Sequence, residues 1–206
     1  MKIVICALSI ITAGALFAAV ELFGFVPAAV GTAVIGEKGL GNQTVVVMPK
    51  TMSPDQGRLM EVAYAIAKAD GHKQPELIQA VLLQESGAGA VSSFRVSNPG
   101  PDAYFGAMQL KLAAAKDVLL RFPALFTKYN IHTKTDDEIK ANLILNDKFN
   151  IEVGSKYLLI LHDQYGFTGR ELMNAYNRGP GGVKSVGADF HYAISAEAKL
   201  ASYKAR

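Results

Sequence analysis

The sequence predicts a mainly α protein, a compact helical domain of about 150 residues behind an apolar N-terminal segment. Three observations carry this. Capping boxes stand at Ser53-Pro54-Asp55-Gln56, Thr135-Asp136-Asp137-Glu138 and Thr168-Gly169-Arg170-Glu171, and such boxes satisfy two orphan amides where a helix begins. Ile78, Val81 and Leu82 recur at helical spacing and lead to Glu85 on the same face. Paired alternating runs that would build a sheet are missing, and no internal repeat is visible.

Taken in order, Lys2 precedes residues 3–20, an uncharged apolar run. A basic start followed by an apolar stretch is the layout of an export signal. The run is also just long enough to span a bilayer as a helix. Ala15, Ala18 and Ala19 supply small residues for cleavage without fixing a position. Residues 1–35 are therefore read as a signal peptide or membrane anchor, with the anchor, if kept, formed by residues 3–20. Either way the rest of the chain is expected to work outside the cytoplasm. Residues 36–52 hold Gly36, Gly39, Gly41 and Asn42, a short β-branched run at 44–47 and Pro49, and read as a linker.

From Ser53 the pattern turns helical, and the domain is expected to span 53–206. Pro54 sits at the first helical position, and the helix should reach about Asp70, where Gly71 can take a left-handed cap. A second helix should run from near Pro75 to Glu85 or Ser86. Residues 112–121 and 196–205 also read as helices. Asn150 is expected to cap a helix through Tyr165, closed by Gly166. Gly179-Pro180-Gly181-Gly182 reads as a turn.

Composition narrows the function. Half the residues are hydrophobic and 19% charged, which fits one globular domain plus an extra segment. The net charge is +3, spread along the chain rather than gathered into the basic stripe of a nucleic-acid binder. Cys6 is the single cysteine, so neither an internal disulfide nor a Cys/His cluster is available. His72, His132, His162 and His191 lack ligand spacing, and no metal site is expected.

One carboxylate stands out. Glu85 ends the apolar face of the second helix, where lost hydration favours the protonated form. The negative end of the helix dipole pushes the same way. A carboxyl that stays protonated near neutral pH is what a glycosidic leaving oxygen needs. On periodicity alone, the plainer reading is favoured, that Glu85 marks the point where the face reaches solvent.

Three blocks in order give that carboxylate a context: Gln84-Glu85-Ser86-Gly87, Gly106-Ala107-Met108-Gln109-Leu110, and Asn174-Ala175-Tyr176-Asn177-Arg178-Gly179-Pro180-Gly181. Ahead of the third lies Asn150-Ile151, Gly154 and Tyr157-Leu158. Together they resemble the soluble lytic transglycosylase family over about residues 57–185. The resemblance implies a lysozyme-like helical fold and a peptidoglycan substrate. It implies Glu85 as catalytic acid/base and Ser86 as the hydroxyl that follows it. Met108, Gln109, Tyr176 and Asn177 then line the cleft and bind substrate. The chain departs from the family in its long Gly/Ser/Pro-rich loop between Ser86 and Gly106. A serine contacting the substrate N-acetyl group is expected there, with Ser92, Ser93 and Ser97 all open. No second acid is tied to a motif; Asp102, Asp117 and Asp163 sit in ordinary polar contexts.

The implied reaction cuts the bond between N-acetylmuramic acid and N-acetylglucosamine, leaves a 1,6-anhydromuramoyl end and needs no cofactor. Two rivals stand beside it: a goose-type lysozyme that uses water, and a non-catalytic peptidoglycan-binding assembly protein. The expected setting is the periplasm or cell envelope of a bacterium, with inner-membrane anchoring open. Service to a secretion, conjugation or phage apparatus is compatible with all of these.

Overall fold

A computed structural model of the chain describes residues 52–90, 96, 97, 100, 103–186 and 190–206. The expected signal or anchor, and the linker apart from Met52, lie outside the described residues. What is described belongs to one compact unit.

Eight helices and a small sheet make up the described unit. α1 (Pro54–Ala69) starts as the sequence predicts. The Ser53 hydroxyl accepts from the Gln56 amide, and the Gln56 side chain returns the bond to the Ser53 amide at 2.7 Å. α2 (Glu76–Ser86) follows, then α3 (Leu112–Arg121) on its expected residues, and the short α4 (Ala124–Lys128), which carried no sequence signal. α5 (Asp136–Leu145) is capped by Thr135. Its box is not closed reciprocally: Glu138 turns instead to the amides of His132, Thr133 and Lys134. Those bonds and the Thr133 hydroxyl, which leads, hold its carboxyl down at about 2.

Three expectations need correction. α6 runs from Asp147 to Tyr165, capped by Asn146 and closed by Gly166 at φ 74°. Asn150 is therefore not a cap but a fully buried residue inside the helix. α7 (Gly169–Val186) does not simply turn at Gly179-Pro180. Gly179 breaks the helix at φ 73°, ψ 164°, and the chain then re-enters helix with Pro180 in a first-turn position, where its missing N–H costs nothing. α8 (His191–Lys204) begins five residues before the expected start at Ala196.

The fourth correction is the sheet. β1 (Val96–Ser97), β2 (Tyr104–Phe105) and β3 (Leu110–Lys111) form an antiparallel order β1-β2-β3. Val96 pairs with Phe105, and Phe105 with Leu110. Two-residue strands are too short to show alternation. They form because tertiary contacts hold the hairpin, chiefly Asn150. Its side chain accepts from the Met108 amide at 2.6 Å and donates to the carbonyls of Phe105 and Leu143 at 2.9 and 3.1 Å. Gly106, at φ 71°, lies against the same group; a Cβ there would collide with the Leu143 carbonyl and the Asn150 amide.

The core sits between α1, α2, α6 and α7, with Met60, Ile78, Leu82, Met108, Phe149, Ile151 and Leu158 essentially inaccessible to water. α8 lays its Ala193 and Ala196 into this packing, and its longest contact is with α2. At the other end of α1, Asp70 accepts from Ser155 Oγ at 2.5 Å and pairs with Lys156 at 2.6 Å, tying α1 to α6. Among the described residues no helix is long and apolar enough to cross a membrane.

Candidate active site

The end of α2 is built to aim Glu85. Gly87 takes the left-handed conformation at φ 60°, with its amide on the Leu83 carbonyl and the Ala88 amide on that of Leu82. Such a terminus satisfies the last carbonyls and stops the helix sharply. Gln56 of α1 reaches across and donates to the Gly87 carbonyl at 2.7 Å. Ser86 joins the same turn: its hydroxyl accepts from the Gly89 amide at 2.8 Å, and the residue is 1% exposed. Its side chain shapes the turn beneath Glu85 rather than presenting a surface.

Glu85 is half-buried on the face it shares with the fully buried Ile78, Val81 and Leu82. The Tyr192 hydroxyl of α8 donates to its Oε1 at 2.5 Å. Burial pushes the carboxyl up from 4.5 to about 7, while the Tyr192 hydrogen bond and the nearby Lys199 charge pull it back. The carboxyl can therefore both hold and release a proton near neutral pH. With Oε1 taken by Tyr192, Oε2 is left to carry it. Burial and the Glu85 charge in turn hold the Tyr192 hydroxyl well above its usual range, so it remains a neutral donor.

Of the other predicted residues, Tyr176 lies close enough to Glu85 to feel its charge. Tyr176 is nearly buried; its hydroxyl donates to the Met108 carbonyl at 2.7 Å, and its ring meets Tyr157 edge-on at 5.6 Å. Met108 itself is at 0% exposure, lying over the missing side chain of Gly154. It supports the floor with its chain and anchors Tyr176 with its carbonyl, and its side chain offers no surface for a ligand. Gln109 takes a left-handed φ of 48° in the turn from β2 to β3, donates to the Gly106 carbonyl at 2.8 Å and accepts from Ser97 at 2.5 Å. Of the three loop serines, Ser92 and Ser93 lie outside the described residues, and Ser97 is joined to the Gly106–Gln109 turn by that bond. Asn177 is exposed on α7, one residue beyond Tyr176.

Tyr192 and Lys199 escaped the sequence reading. Tyr192 lies 107 residues from Glu85 and ahead of the expected start of α8. The missed signal was local: Tyr192, Ser195, Ala196 and Lys199 follow helical spacing that places them on one face. Tyr192→Phe is expected to push the Glu85 carboxyl further up, because a donor that favours the charged form is lost. A hydrogen bond to a charged group is worth about 1.5–3 kcal/mol, which corresponds to a displacement of about one to two pH units. The pH–rate profile of the variant checks it, and a profile superimposable on wild type would contradict it.

A separate cavity of about 270 Å³ is lined by residues that include Lys111, Asp117, Tyr157, Tyr165 and Pro180, none of them a predicted site residue. Asp117 pairs with Arg121 at 3.0 Å, and Asp163 is exposed. Among the described residues, no second acid acts on Glu85.

With this geometry in place, the comparison with known families becomes informative. The sequence model of one family, described as the transglycosylase SLT domain, matches residues 63–194. No curated protein and no solved structure matches the chain.

Proposed function

We propose a specific reaction on one premise: the chain belongs to the transglycosylase SLT family, and so carries a transglycosylase-type domain that acts on peptidoglycan. The proposal is that it cleaves the β-1,4 bond from N-acetylmuramic acid to N-acetylglucosamine and leaves a 1,6-anhydromuramoyl end. One observation carries this reading. Glu85 is a lone desolvated carboxyl, set at about 7, with Tyr192 as its partner and no second acid acting on it among the described residues.

Glycosidases with two carboxyls divide the acid and nucleophile roles between them, and substrate-assisted enzymes are the exception. A single carboxyl fits the exception. Protonated Glu85 gives its proton to the leaving oxygen of N-acetylglucosamine as the glycosidic bond breaks. The substrate's N-acetyl oxygen supports the anomeric carbon. The Glu85 carboxylate then takes the proton of the muramoyl C6 hydroxyl as that oxygen bonds the anomeric carbon. Glu85 ends protonated, ready for another cycle, and no water is consumed. A group that serves both as acid and as base is best placed near the working pH. The exposed Asn177 offers its amide to sugar hydroxyls and N-acetyl groups, while the buried Gln109, its amide bonded to the Gly106 carbonyl and to Ser97, holds the turn that shapes the cleft. Tyr176, Met108 and Ser86 hold the floor and the turn.

The action on peptidoglycan and the apolar start of the sequence support an exported protein of the bacterial periplasm or envelope, anchored or released. Local wall opening for a secretion, conjugation or phage apparatus suits an enzyme of this size. The full-length protein incubated with peptidoglycan sacculi, its soluble products read by mass spectrometry, tests the reaction. Anhydro-ended fragments, one water lighter than hydrolysed ones, are expected. Reducing ends would replace the proposal with hydrolysis on the same fold. Sacculi that are bound but uncut would leave a binding protein.

A further inference from the structure

α8 carries a cation on the face that meets Glu85. Seven residues separate Tyr192 from Lys199, two helical turns, so both project toward α2. Between them Ser195 donates to Gln84 Oε1 at 2.9 Å, which fixes how α8 lies against α2 beside Glu85. Ala196 is fully buried in the same seam. Lys199 is half-buried, and among the described residues no carboxylate lies within ion-pair distance of its ammonium. Glu85 is the acid whose field it feels, each favouring the charged form of the other. Lys199 also lies beyond the stretch that the family model matches, which ends at 194.

We propose that Lys199 is a positioning residue of the reaction, acting through space on Glu85 to keep its carboxylate form accessible for the base step. The inference rests on the acid/base role of Glu85 proposed above. That role makes opposite demands on one group. Burial alone favours the acid form and so helps only the first proton transfer. A positive charge held at a distance, without a direct bond, offsets part of that bias. It leaves Oε2 clear for substrate, which a lysine in direct contact would not.

The charged and titratable surroundings are few. From α8 Glu85 faces Tyr192 and Lys199; from α7 it faces Tyr176, whose hydroxyl is committed to Met108. α1 brings the neutral Gln56 amide, which is engaged with Gly87. From α6 no charged group among the described residues acts on Glu85. Glu197, on α8 itself, is occupied by Arg170 at 2.8 Å.

The test compares the full-length protein with Lys199→Met and Lys199→Arg. The Glu85 carboxyl is titrated by carbon NMR of glutamate-labelled protein, and Glu85→Gln assigns its signal. In Lys199→Met the Glu85 midpoint should move to higher pH, the direction expected when an opposite charge is removed, by up to about one pH unit. Lys199→Arg should restore it. The basic limb of kcat/KM on soluble glycan strands should follow the same displacement. A Glu85 midpoint that stays in place in folded Lys199→Met overturns the proposal, whatever the activity. A wild-type protein that cuts no glycan while the midpoint still moves overturns the acid/base reading of Glu85 instead. The two failures are thereby told apart.

Discussion

Glu85→Gln is expected to lower glycan cleavage by about 10³-fold, within the span that a positioned acid/base supplies. On the proposed mechanism the loss lies in the chemistry rather than in the fold. Glutamine matches the carboxyl in shape, and its amide oxygen can still accept from Tyr192, as Glu85 Oε1 does now. What it cannot do is release a proton to the leaving oxygen or recover one from the C6 hydroxyl. Initial rates on soluble glycan strands measure this, and a variant within tenfold of wild type would sink the single-carboxyl mechanism.

The same substitution carries a stability signature whose sign follows from linkage. The Glu85 carboxyl is raised from 4.5 to about 7 on folding, so the folded state holds an extra proton between those values. Stability from this group is intact below the unfolded value and is lost as pH rises toward 7. Above it, ionisation costs on the order of 3 kcal/mol, from about 1.4 kcal/mol per pH unit of displacement. Glutamine does not ionise and escapes that cost. Glu85→Gln should therefore gain stability relative to wild type when denaturant melts at pH 8 are set against those at pH 5. Equal differences at both pH values would show that Glu85 is not desolvated in the folded state.

How far the sequence reached depended on the range of the forces involved. Ser53, Thr135 and Gly166 act within one turn of their own helix ends, and all three ends lie where such signals place them. The apolar face that leads to Glu85 is equally local: Ile78, Val81 and Leu82 are buried as periodicity selects, and tertiary packing buries Gln79, Ala80, Leu83 and Ser86 besides. Asn150 looked like a cap because asparagine often is one. Its true partners lie 7 to 45 residues away, and no local pattern announces them. Tyr192 is the same case at longer range. Met108 shows a different limit: its motif fixes which residue stands there but not which way it points, and the empty space over Gly154 decides that. Tyr176, expected near the carboxyl, spends its hydroxyl on the Met108 carbonyl, a partner 68 residues away that no local pattern announces.

Asn150→Ala should be among the most damaging single changes to stability, at about 3–5 kcal/mol. The side chain is fully buried and makes three hydrogen bonds, to the Met108 amide and to the carbonyls of Phe105 and Leu143. Alanine strands all three groups where water cannot reach them, and each orphan costs about 1–3 kcal/mol, not fully additively. A domain of this size has about 5–15 kcal/mol in total, so the loss is a large share of it. Asn146→Ala is the fitting comparison. It removes the half-buried cap of the same helix, a single bond to the Phe149 amide, and should cost only about 1 kcal/mol. Urea melts of the two variants order them. A reversed order would mean that the hairpin is held by something other than Asn150. The effect should also reach the site, because the turn that Asn150 grips carries Gln109, and its Met108 carbonyl anchors Tyr176. At temperatures where Asn150→Ala is still folded, KM for glycan strands should rise more than kcat falls, since Glu85 and Tyr192 stand on α2 and α8, away from that grip.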